Sequence, residues 1–323
     1  MTFTGYQQHM IARPKFYELL LRLVPAHKIH FGKRVLNITE EDDKVIVHTA
    51  DNGTHVGDIV VGADGAYSAV RQRMYDQLKM NGELPKTDYE ELPFSCTSLV
   101  GQTRVLDSEQ FPIVKEQLSK FRTFLGNNKP YSWVTANTAQ GSICWMVIQH
   151  LDRKTSKAAM EQRFRNNDNS EWGDIPAQAM CNETRNFPIL LETGKKHTLG
   201  DLYDQTPKEY ISKVMLEEKV FSTWHSGRVV LLGDGAVTAI HDAIAFANLL
   251  YALPSRSASD ITKIFQEYQE ERYPAVMESF KKSQLLSKNM EKGLVGAFFL
   301  FATTPCKDVK VSSTHRILAI RSA

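Results

Sequence analysis

The sequence lacks a strong net charge and any apolar run long enough to cross a membrane. Its 323 residues carry 39 Lys and Arg against 37 Asp and Glu, which leaves a net charge of +2. So weak a charge provides no field that would gather nucleic acid or an anionic membrane. The longest apolar run, residues 294–302, is well short of the ~20 residues that span a bilayer. A nucleic-acid partner is therefore not expected, while membrane association is left open.

The sequence also lacks a closely spaced cysteine pair of the CxxC kind that metal and redox sites use. Nothing at its N-terminus resembles a signal peptide. The four cysteines, which lie far apart, are therefore interpreted as reduced thiols of an intracellular, cytoplasmic protein: Cys96, Cys144, Cys181 and Cys306. The histidines show no H-x-x-x-H spacing on a helix, so no metal site is predicted.

Periodicity in the first half predicts one helix and two sheets. A helix begins at Pro14, carries Phe16, Leu19, Leu20 and Leu23 on one side, and ends before Pro25. Residues 28–65 read as a β-meander, with turns at 40–43 and 51–53, that leads into a buried strand. Residues 95–151 alternate as strands of a second sheet, against which a substrate or a partner is expected to lie.

The second half predicts a loop and three helices. Residues 156–174 are polar and predict a surface loop. The segment Thr206-Pro207-Lys208-Glu209 fits a capping box, which predicts a helix through Glu218. A further helix is predicted after Gly235, and a last one from Ser259 to about Lys292, interrupted or kinked at Pro274. Spacings of three and four predict that the helix after Gly235 packs through one face, made of Val237, Ile240, Ile244, Ala247 and Tyr251.

Two corners that combine glycine with aspartate follow predicted strands. Asp64-Gly65, here called the DG corner, comes after Ile59-Val60-Val61, and Gly233-Asp234, the GD corner, ends "RVVLLGD". A carboxylate at the carboxyl end of a parallel strand lies where open α/β sheets bind ligands. Its oxygens suit ribose or ribitol hydroxyls, and a glycine lets a backbone amide approach a phosphate. An Asp-capped turn without a ligand is the alternative at Asp64, and both interpretations stay open.

The GD corner could instead begin a Rossmann fingerprint, G-x-G-x-x-G. Gly233 and Gly235 match two of its glycines, but Thr238 stands at the third. The acidic residue expected about 20 residues later is also absent, because that region is predicted to be helical. The Rossmann fingerprint is therefore not favoured.

Taken together, these segments resemble the FAD-dependent monooxygenases with the aromatic-hydroxylase fold, in particular fungal members of secondary metabolism. "GADGAYSAVR" resembles the DG motif of that family and "GRVVLLGD" its GD motif. "ARPKFYELLLRLVP" resembles a segment whose arginine lies near the FAD. The resemblance places Asp64 near the FAD pyrophosphate and the nicotinamide path, and Asp234 at the ribitol. The cofactor-binding residues that it implies are Arg13, Gly62, Asp64, Gly65, Gly233 and Asp234.

The same resemblance implies an oxidoreductase that uses FAD, with NADH or NADPH as reductant. A flavin hydroperoxide would transfer oxygen to an apolar or aromatic small molecule. The flavin carries such chemistry, so no side-chain nucleophile is needed and no catalytic residue is predicted. A homo-oligomer is left open.

The sequence departs from the family pattern in two places. It has no strand–GxGxxG–helix unit, and roughly the first hundred family residues have no counterpart. Asp234 also joins Gly235 directly, where the family has about a dozen more residues, which could span up to ~40 Å. These departures predict impaired FAD binding. They keep two other hypotheses open, a non-catalytic remnant or interaction protein, and a fragment that complements a separately encoded N-terminal half.

The predicted fold class is α+β or α/β, with an incomplete Rossmann-like FAD-binding domain and a β-sheet substrate domain. The expected ranges are a partial FAD-binding domain at 1–90 and a substrate domain at 91–205. The chain would return to the FAD-binding domain at 206–290 and end in a divergent tail at 291–323.

Overall fold

The computed structural model describes residues 11, 13–41, 43–90, 94–116, 118–126, 130–151, 171–172, 174–191, 196–217, 219–233 and 236–291. The chain divides into two compact units. The sheet unit contains Phe94–Glu217 together with the first helix, and the corner unit contains Ala26–Pro93 and Glu218–Gln284. The mixture of helices and sheets is the predicted fold class, whereas the four domain ranges stay a prediction.

The helices in chain order are α1 (Arg13–Leu21), α2 (Ala69–Met80), α3 (Lys86–Tyr89), α4 (Asp174–Thr184), α5 (Leu199–Tyr203), α6 (Ala236–Tyr251) and α7 (Ala258–Glu291). The strands are β1 (Val35–Glu41), β2 (Lys44–Thr49), β3 (Thr54–Gly57), β4 (Val60–Gly62), β5 (Phe94–Gln102), β6 (Phe121–Leu125), β7 (Tyr131–Asn137), β8 (Ile143–His150), β9 (Glu171–Trp172), β10 (Pro188–Ile189), β11 (His197–Thr198), β12 (Ser212–Glu217), β13 (His225–Ser226) and β14 (Val229–Leu231). Short 3-10 turns lie at Ala26–Lys28, Pro112–Lys115 and Lys208–Tyr210.

The sheet unit is built on a six-stranded antiparallel sheet of order β6-β7-β8-β5-β12-β9. Leu99, Trp133 and Val147 lie opposite one another in the register and point to the same face. They are buried in one core with Met180 of α4 and Leu202 of α5. The predicted second sheet over 95–151 is confirmed as β5 to β8, because alternating side chains supply this buried face.

The helix predicted from Thr206 to Glu218 is wrong. The chain forms a 3-10 turn at Lys208–Tyr210 and then strand β12, which pairs with β5 and β9. Val214 and Leu216 alternate into the interior, with 7% of each exposed. The spacing of the apolar residues fits the period of a helix and that of a strand. Pairing with the edge of β5 selects the strand. Thr206 caps no helix here; its hydroxyl donates to the Leu202 carbonyl and accepts from the Trp145 indole N–H.

Two other predictions for the sheet unit need qualification. The helix expected at Pro14 is confirmed as α1, but its apolar side is exposed, with 50% of Leu19 and 44% of Leu20 accessible. The surface loop predicted at 156–174 lies mostly outside the described residues. Where it is described, at Glu171–Trp172, the chain forms strand β9 and pairs with β12.

The corner unit begins with the predicted meander, which is confirmed as the antiparallel sheet β1-β2-β3. Its second turn contains Asn52 at φ 61°, a left-handed conformation that Asn tolerates well. Ile38 and Val45 point inward and are buried against Val70 and Met74 of α2. The sequence analysis did not predict α2, which covers this face of the meander.

A second sheet of the corner unit has the order β13-β14-β4. β13 and β14 form an antiparallel hairpin, whereas β14 and β4 run parallel. Val229 is buried on the α2 side of β14, and Val230 is buried on the side of α6 and α7. β14 is therefore covered on both faces, as strands of parallel sheets usually are.

The packed face predicted for the helix after Gly235 is wrong, although the helix itself is confirmed as α6. Ile240 and Ile244 are 41% and 56% exposed, and Tyr251 is 95% exposed. The side facing the core instead carries Asp242, Ala245 and Phe246. α6 is apolar almost all round, so spacing alone could not select the packed face.

The last predicted helix is confirmed as α7, which runs through Pro274 without interruption. Ile261, Phe265 and Tyr268 anchor it in the core that it shares with α6. Within the described residues, no helix combines the length and the apolar character needed to cross a membrane.

Gly101 of β5 should tolerate no side chain. A Cβ at this position would overlap the indole ring of Trp145, its cross-strand neighbour on β8. We expect Gly101→Ala to lower the free energy of unfolding by about 1–3 kcal/mol, because the core around the ring is overpacked. Urea unfolding followed by tryptophan fluorescence would measure the change.

Gly57→Ala is the matched control, since a Cβ at Gly57 would make ordinary contacts with the Ile59 backbone, at 3.4 Å from its carbonyl oxygen and 4.0 Å from its nitrogen. This variant should change the unfolding free energy by less than about 1 kcal/mol. Equal effects of the two substitutions would contradict the packing argument.

Candidate functional site

The two predicted corners lie at the same edge of one sheet. The parallel register pairs Val60 with Val229 and Gly62 with Leu231, so β4 and β14 end side by side. The Leu232 N–H donates to the Gly62 carbonyl at 2.9 Å and continues the pairing beyond β14. The DG corner and the GD corner therefore leave adjacent strands at their carboxyl ends. Open α/β sheets bind ligands at this edge.

Gly62 allows α2 to approach the two strands closely. A Cβ on Gly62 would lie 2.8 Å from a Leu231 methyl carbon and 2.8 Å from a Val70 methyl carbon. Gly62 is itself buried. Its role in the structure is close packing of helix on strand, and its predicted contact with a cofactor stays a prediction.

Asp64 caps helix α2. Its carboxylate accepts the Ala69 N–H at 2.6 Å, the Val70 N–H at 3.3 Å and the Ser68 hydroxyl. Ser68 in turn accepts the Arg71 N–H at 2.9 Å as the N-cap. A carboxylate is stabilised there by the free N–H groups and by the helix dipole. The alternative of an Asp-capped turn thus describes this carboxylate, which remains exposed on its other side.

The turn between Asp64 and α2 depends on Gly65. Its φ of +81° lies in the left-handed region, which favours glycine. The Ser68 N–H donates to the Gly65 carbonyl at 3.0 Å and closes the turn. The left-handed backbone at Gly65 and the contact of the Asp64 carboxylate with α2 thereby set the conformation of the DG corner.

Basic side chains flank the DG corner. The Arg71 guanidinium donates to the Ala66 carbonyl at 2.6 Å and lies 4.3 Å from the centre of the Phe221 ring. Lys219 lies over the same ring, at 4.9 Å from its centre. Burial lowers the pKa of Lys219, and the positive charge of Arg71 lowers it further. Phe221 and Lys219 were not found by sequence reasoning, because no local pattern links residues 219–221 to residue 71.

The GD corner is described as far as Gly233. The Gly233 N–H donates to the Asp242 carboxylate of α6 at 2.8 Å. Asp234 and Gly235 lie outside the described residues, so the predicted ribitol contact of Asp234 stays a prediction. Asp242 is 0% exposed and accepts a second hydrogen bond, from Arg272 of α7, at 2.7 Å. Sequence reasoning missed Asp242, although an aspartate in the middle of an apolar helix was a usable signal.

Arg13, the remaining predicted cofactor residue, is the first residue of α1 and is exposed. It belongs to the sheet unit, whereas the two corners belong to the corner unit. Its predicted contact with FAD stays a prediction.

A shallow cleft of about 490 Å³ in the corner unit is lined mainly by polar side chains of α7 and by His225 of β13. Burial lowers the pKa of His225, which favours its neutral ring. The residues that line this cleft are His225, Gln266, Gln269, Glu270, Tyr273 and Pro274. Among the residues that the structure describes, no three His, Cys, Asp or Glu side chains are grouped as a metal site would require.

The described residues fit one part of a flavin dinucleotide. Gly65 follows β4 and Gly233 follows β14, and Asp64 offers an exposed carboxylate to hydroxyl groups. Such a carboxylate is a hydrogen-bond acceptor for the hydroxyls of a polyol chain. The described residues therefore fit the part of FAD that carries hydroxyl groups.

Relatives of known class align with most of this sequence. The chain is 30% identical over 301 residues to the FAD-dependent monooxygenase ptmM of Penicillium ochrochloron, across 87% of this chain and 66% of that protein. It is 26% identical over 303 residues to the FAD-dependent monooxygenase atmM of Aspergillus flavus, across 87% of this chain and 58% of that protein. The chain thus spans between 58% and 66% of the length of these two relatives. No family model matches the chain.

Solved structures share its fold. Klebsiella pneumoniae HpxO complexed with FAD and uric acid aligns with 87% of this chain and 64% of its own, at a TM-score of 0.60 and 18% identity. A salicylate hydroxylase substrate complex aligns with 86% of this chain and 66% of its own, at a TM-score of 0.55 and 18% identity. At such identities the likeness is one of fold.

Asp64→Ala should destabilise the corner unit. The substitution removes the acceptor for the first N–H groups of α2, which typically costs about 1 kcal/mol. Asp76→Ala on the same helix removes only an exposed ion pair with Arg73 and should cost less than about 0.5 kcal/mol. Thermal unfolding of both variants checks this, and equal shifts would contradict a capping role for Asp64.

His225 should make stability depend on pH. Because burial lowers its pKa in the folded state, the unfolded chain takes up a proton first as pH falls below about 6.5. The stability contributed by the neutral ring is complete above that pH and is lost as pH falls towards the folded pKa. His225→Gln should therefore show a smaller drop in melting temperature between about pH 7.5 and about pH 5.5.

The control for this pH measurement is His241→Gln, because His241 is exposed on α6. It should retain the pH dependence of the unsubstituted chain. A pH dependence that is unchanged in His225→Gln would show that other groups cause it.

Proposed function

Because this chain is similar to FAD-dependent monooxygenases over 87% of its length, we propose that it belongs to their family and acts in FAD-dependent oxygenation of a small molecule. Its corner unit would bind FAD, and its sheet unit would present the surface on which an apolar or aromatic substrate lies. NADH or NADPH would serve as reductant. Since the chain spans less than two thirds of these relatives, each of these activities is a proposal about this chain.

The parallel pairing of β4 with β14 carries the proposal. It brings together two glycine–aspartate corners that are about 170 residues apart in sequence, at the edge where α/β sheets bind ligands. The two corners combine an exposed carboxylate with glycines at adjacent strand ends. A polyol chain with a neighbouring phosphate group uses both features.

The residues proposed to hold FAD are the ones at these corners. Asp64 would accept hydroxyl groups near the pyrophosphate, Gly65 would let the backbone approach the pyrophosphate, and Gly233 and Asp234 would lie at the ribitol. Gly62 would contribute by keeping the strands and α2 close, and Arg13 by contact with the cofactor. FAD would supply the redox and oxygen chemistry, while the chain's residues bind it, orient it and exclude water.

A second candidate function is a non-catalytic member of the family that no longer holds a flavin. Two observations favour it. β14 ends at Leu231 and α6 begins at Ala236, so only residues 232–235 connect them. The Asp64 carboxylate is also engaged by the N-terminus of α2, where it competes with any anion. Such a protein would keep the sheet unit as a binding surface for a partner.

The finer expectations on location and assembly stay proposals. We propose a cytoplasmic protein with reduced thiols; the described Cys96 and Cys181 are buried and form no disulfide, which supports reduced cysteines. Homo-oligomer formation would be measured by sedimentation. Membrane association would be measured by flotation with vesicles. The four domain ranges would be tested by limited proteolysis.

The purified chain should retain FAD after desalting, with the flavin absorption bands visible in its spectrum. Asp64→Asn should weaken retention of FAD, because one of the two acceptor oxygens is lost. Asp76→Asn, on the outer side of the same helix, should retain FAD like the unsubstituted chain. Bleaching of the bands by NADH or NADPH without oxygen would identify the reductant.

Two outcomes decide between the candidate functions. A chain that stays colourless after incubation with FAD, although it is folded by circular dichroism, would contradict the oxygenase proposal. It would support the non-catalytic member of the family, the remnant. A chain that retains FAD and is reduced by either nicotinamide cofactor would rule out the remnant.

A further inference from the structure

The Asp242 carboxylate is the most deeply buried charged group at either corner. It is 0% exposed and lies beside the Tyr268 hydroxyl, whose pKa is raised by burial and by this carboxylate. Oδ2 accepts the backbone N–H of Gly233, and Oδ1 accepts the Nε–H of Arg272, whose side chain is 13% exposed. A buried ion pair of this kind contributes little net stability, because desolvation offsets the attraction. Its presence therefore calls for an explanation other than stability.

The backbone of Gly233 is shaped around this carboxylate. A Cβ on Gly233 would lie 2.6 Å from Asp242 Oδ2 and 3.0 Å from the Thr238 methyl carbon. Any other residue at 233 would push the carboxylate away from the N–H that it accepts. Glycine at this position is thus explained by Asp242, whether or not a ligand is bound.

The contact fixes the last described residue before Asp234. Gly233 stands directly before Asp234 in the chain, and residues 232–235 alone separate β14 from α6. With the Gly233 N–H held from α6 and the Leu232 N–H held by the Gly62 carbonyl, two successive amides of this connection are fixed. Arg272 holds the carboxylate from the far side, so α7 is joined to the same point.

We propose that Asp242 is a positioning residue of the GD corner, which holds the Gly233 backbone so that the corner can receive the cofactor. This inference rests on the proposed FAD-binding function. Arg272 is the counter-ion that orients Asp242, with one carboxylate oxygen for each partner. Asp242 itself would not touch the cofactor.

An amide at position 242 tests this arrangement, because it has one acceptor oxygen where a carboxylate has two. In Asp242→Asn the single amide oxygen can accept a hydrogen bond from Gly233 or from Arg272, but not from both. The charged Arg272 should keep this hydrogen bond, and the Gly233 N–H should lose it. Asp242→Asn should therefore weaken FAD binding about tenfold or more, as measured by quenching of flavin fluorescence. Hydrogen exchange at the Gly233 amide should accelerate by a similar factor in the cofactor-free protein.

The double variant Asp242→Asn with Arg272→Met should rescue both measurements. Methionine removes the competing donor, so the single amide oxygen is released to the Gly233 N–H. The neutral pair also leaves no buried charge unpaired, so this variant should fold even if Asp242→Asn alone does not. FAD affinity and Gly233 exchange should both return to within about threefold of the unsubstituted chain.

Ile261→Ala is the control for stability alone. It opens a cavity in the same core, on α7, and takes no part in the hydrogen bonds that join Gly233, Asp242 and Arg272. It should lower the melting temperature without accelerating Gly233 exchange or weakening FAD binding.

Three results would overturn the positioning role. In the first, FAD affinity follows the melting temperature across all the variants. In the second, the double variant folds and still shows fast Gly233 exchange. In the third, Gly233 exchange is unchanged in folded Asp242→Asn. If the unsubstituted chain binds no FAD, the proposed function fails, and Gly233 exchange in the cofactor-free variants still decides whether Asp242 holds the corner.

Discussion

The parallel pairing of β4 with β14 is the contact on which the corner unit depends. Three residues of each strand are in register, and both faces of β14 are buried, by Val229 on one side and Val230 on the other. The meander and α2 pack on the first face, and α6 and α7 on the second. Both corners take their position from this pair, because each begins where one of the strands ends. The short pairing of β4 with β14 thus positions two hydrophobic cores and the sheet edge at which the corners begin.

Residues that look like ligand contacts in the sequence also perform structural tasks here. Asp64 stabilises the N-terminus of α2, and Gly62 lets that helix approach the strands. Gly233 makes room for the Asp242 carboxylate. The capping task of Asp64 does not conflict with cofactor binding, since its carboxylate remains exposed on the other side. These structural tasks do mean that glycine and aspartate at these positions are not by themselves proof of a bound cofactor.

Sequence periodicity predicted elements well where one period clearly dominated. The β-meander and strands β5 to β8 were found, and so were the helices α1, α6 and α7. It failed at Thr206–Glu218, where the spacing suits a helix and a strand equally and the free edge of β5 selected the strand. It also chose the wrong face of α6, since an almost wholly apolar helix carries no directional signal. α2 was missed because its polar residues mask a weak apolar stripe.

The sequence by itself determined the resemblance to FAD-dependent monooxygenases, the two glycine–aspartate corners and the strands of the second sheet, because these depend on local spacing and residue type. Only the tertiary structure decided what the corners contact. Asp64 meets α2 across a short turn, but Gly233 meets Asp242, and Asp242 meets Arg272 thirty residues further along. Such contacts are set by the packing of α6 and α7 on β14. Packing between distant segments leaves no period in the sequence, so a single aspartate in an apolar helix was its only trace.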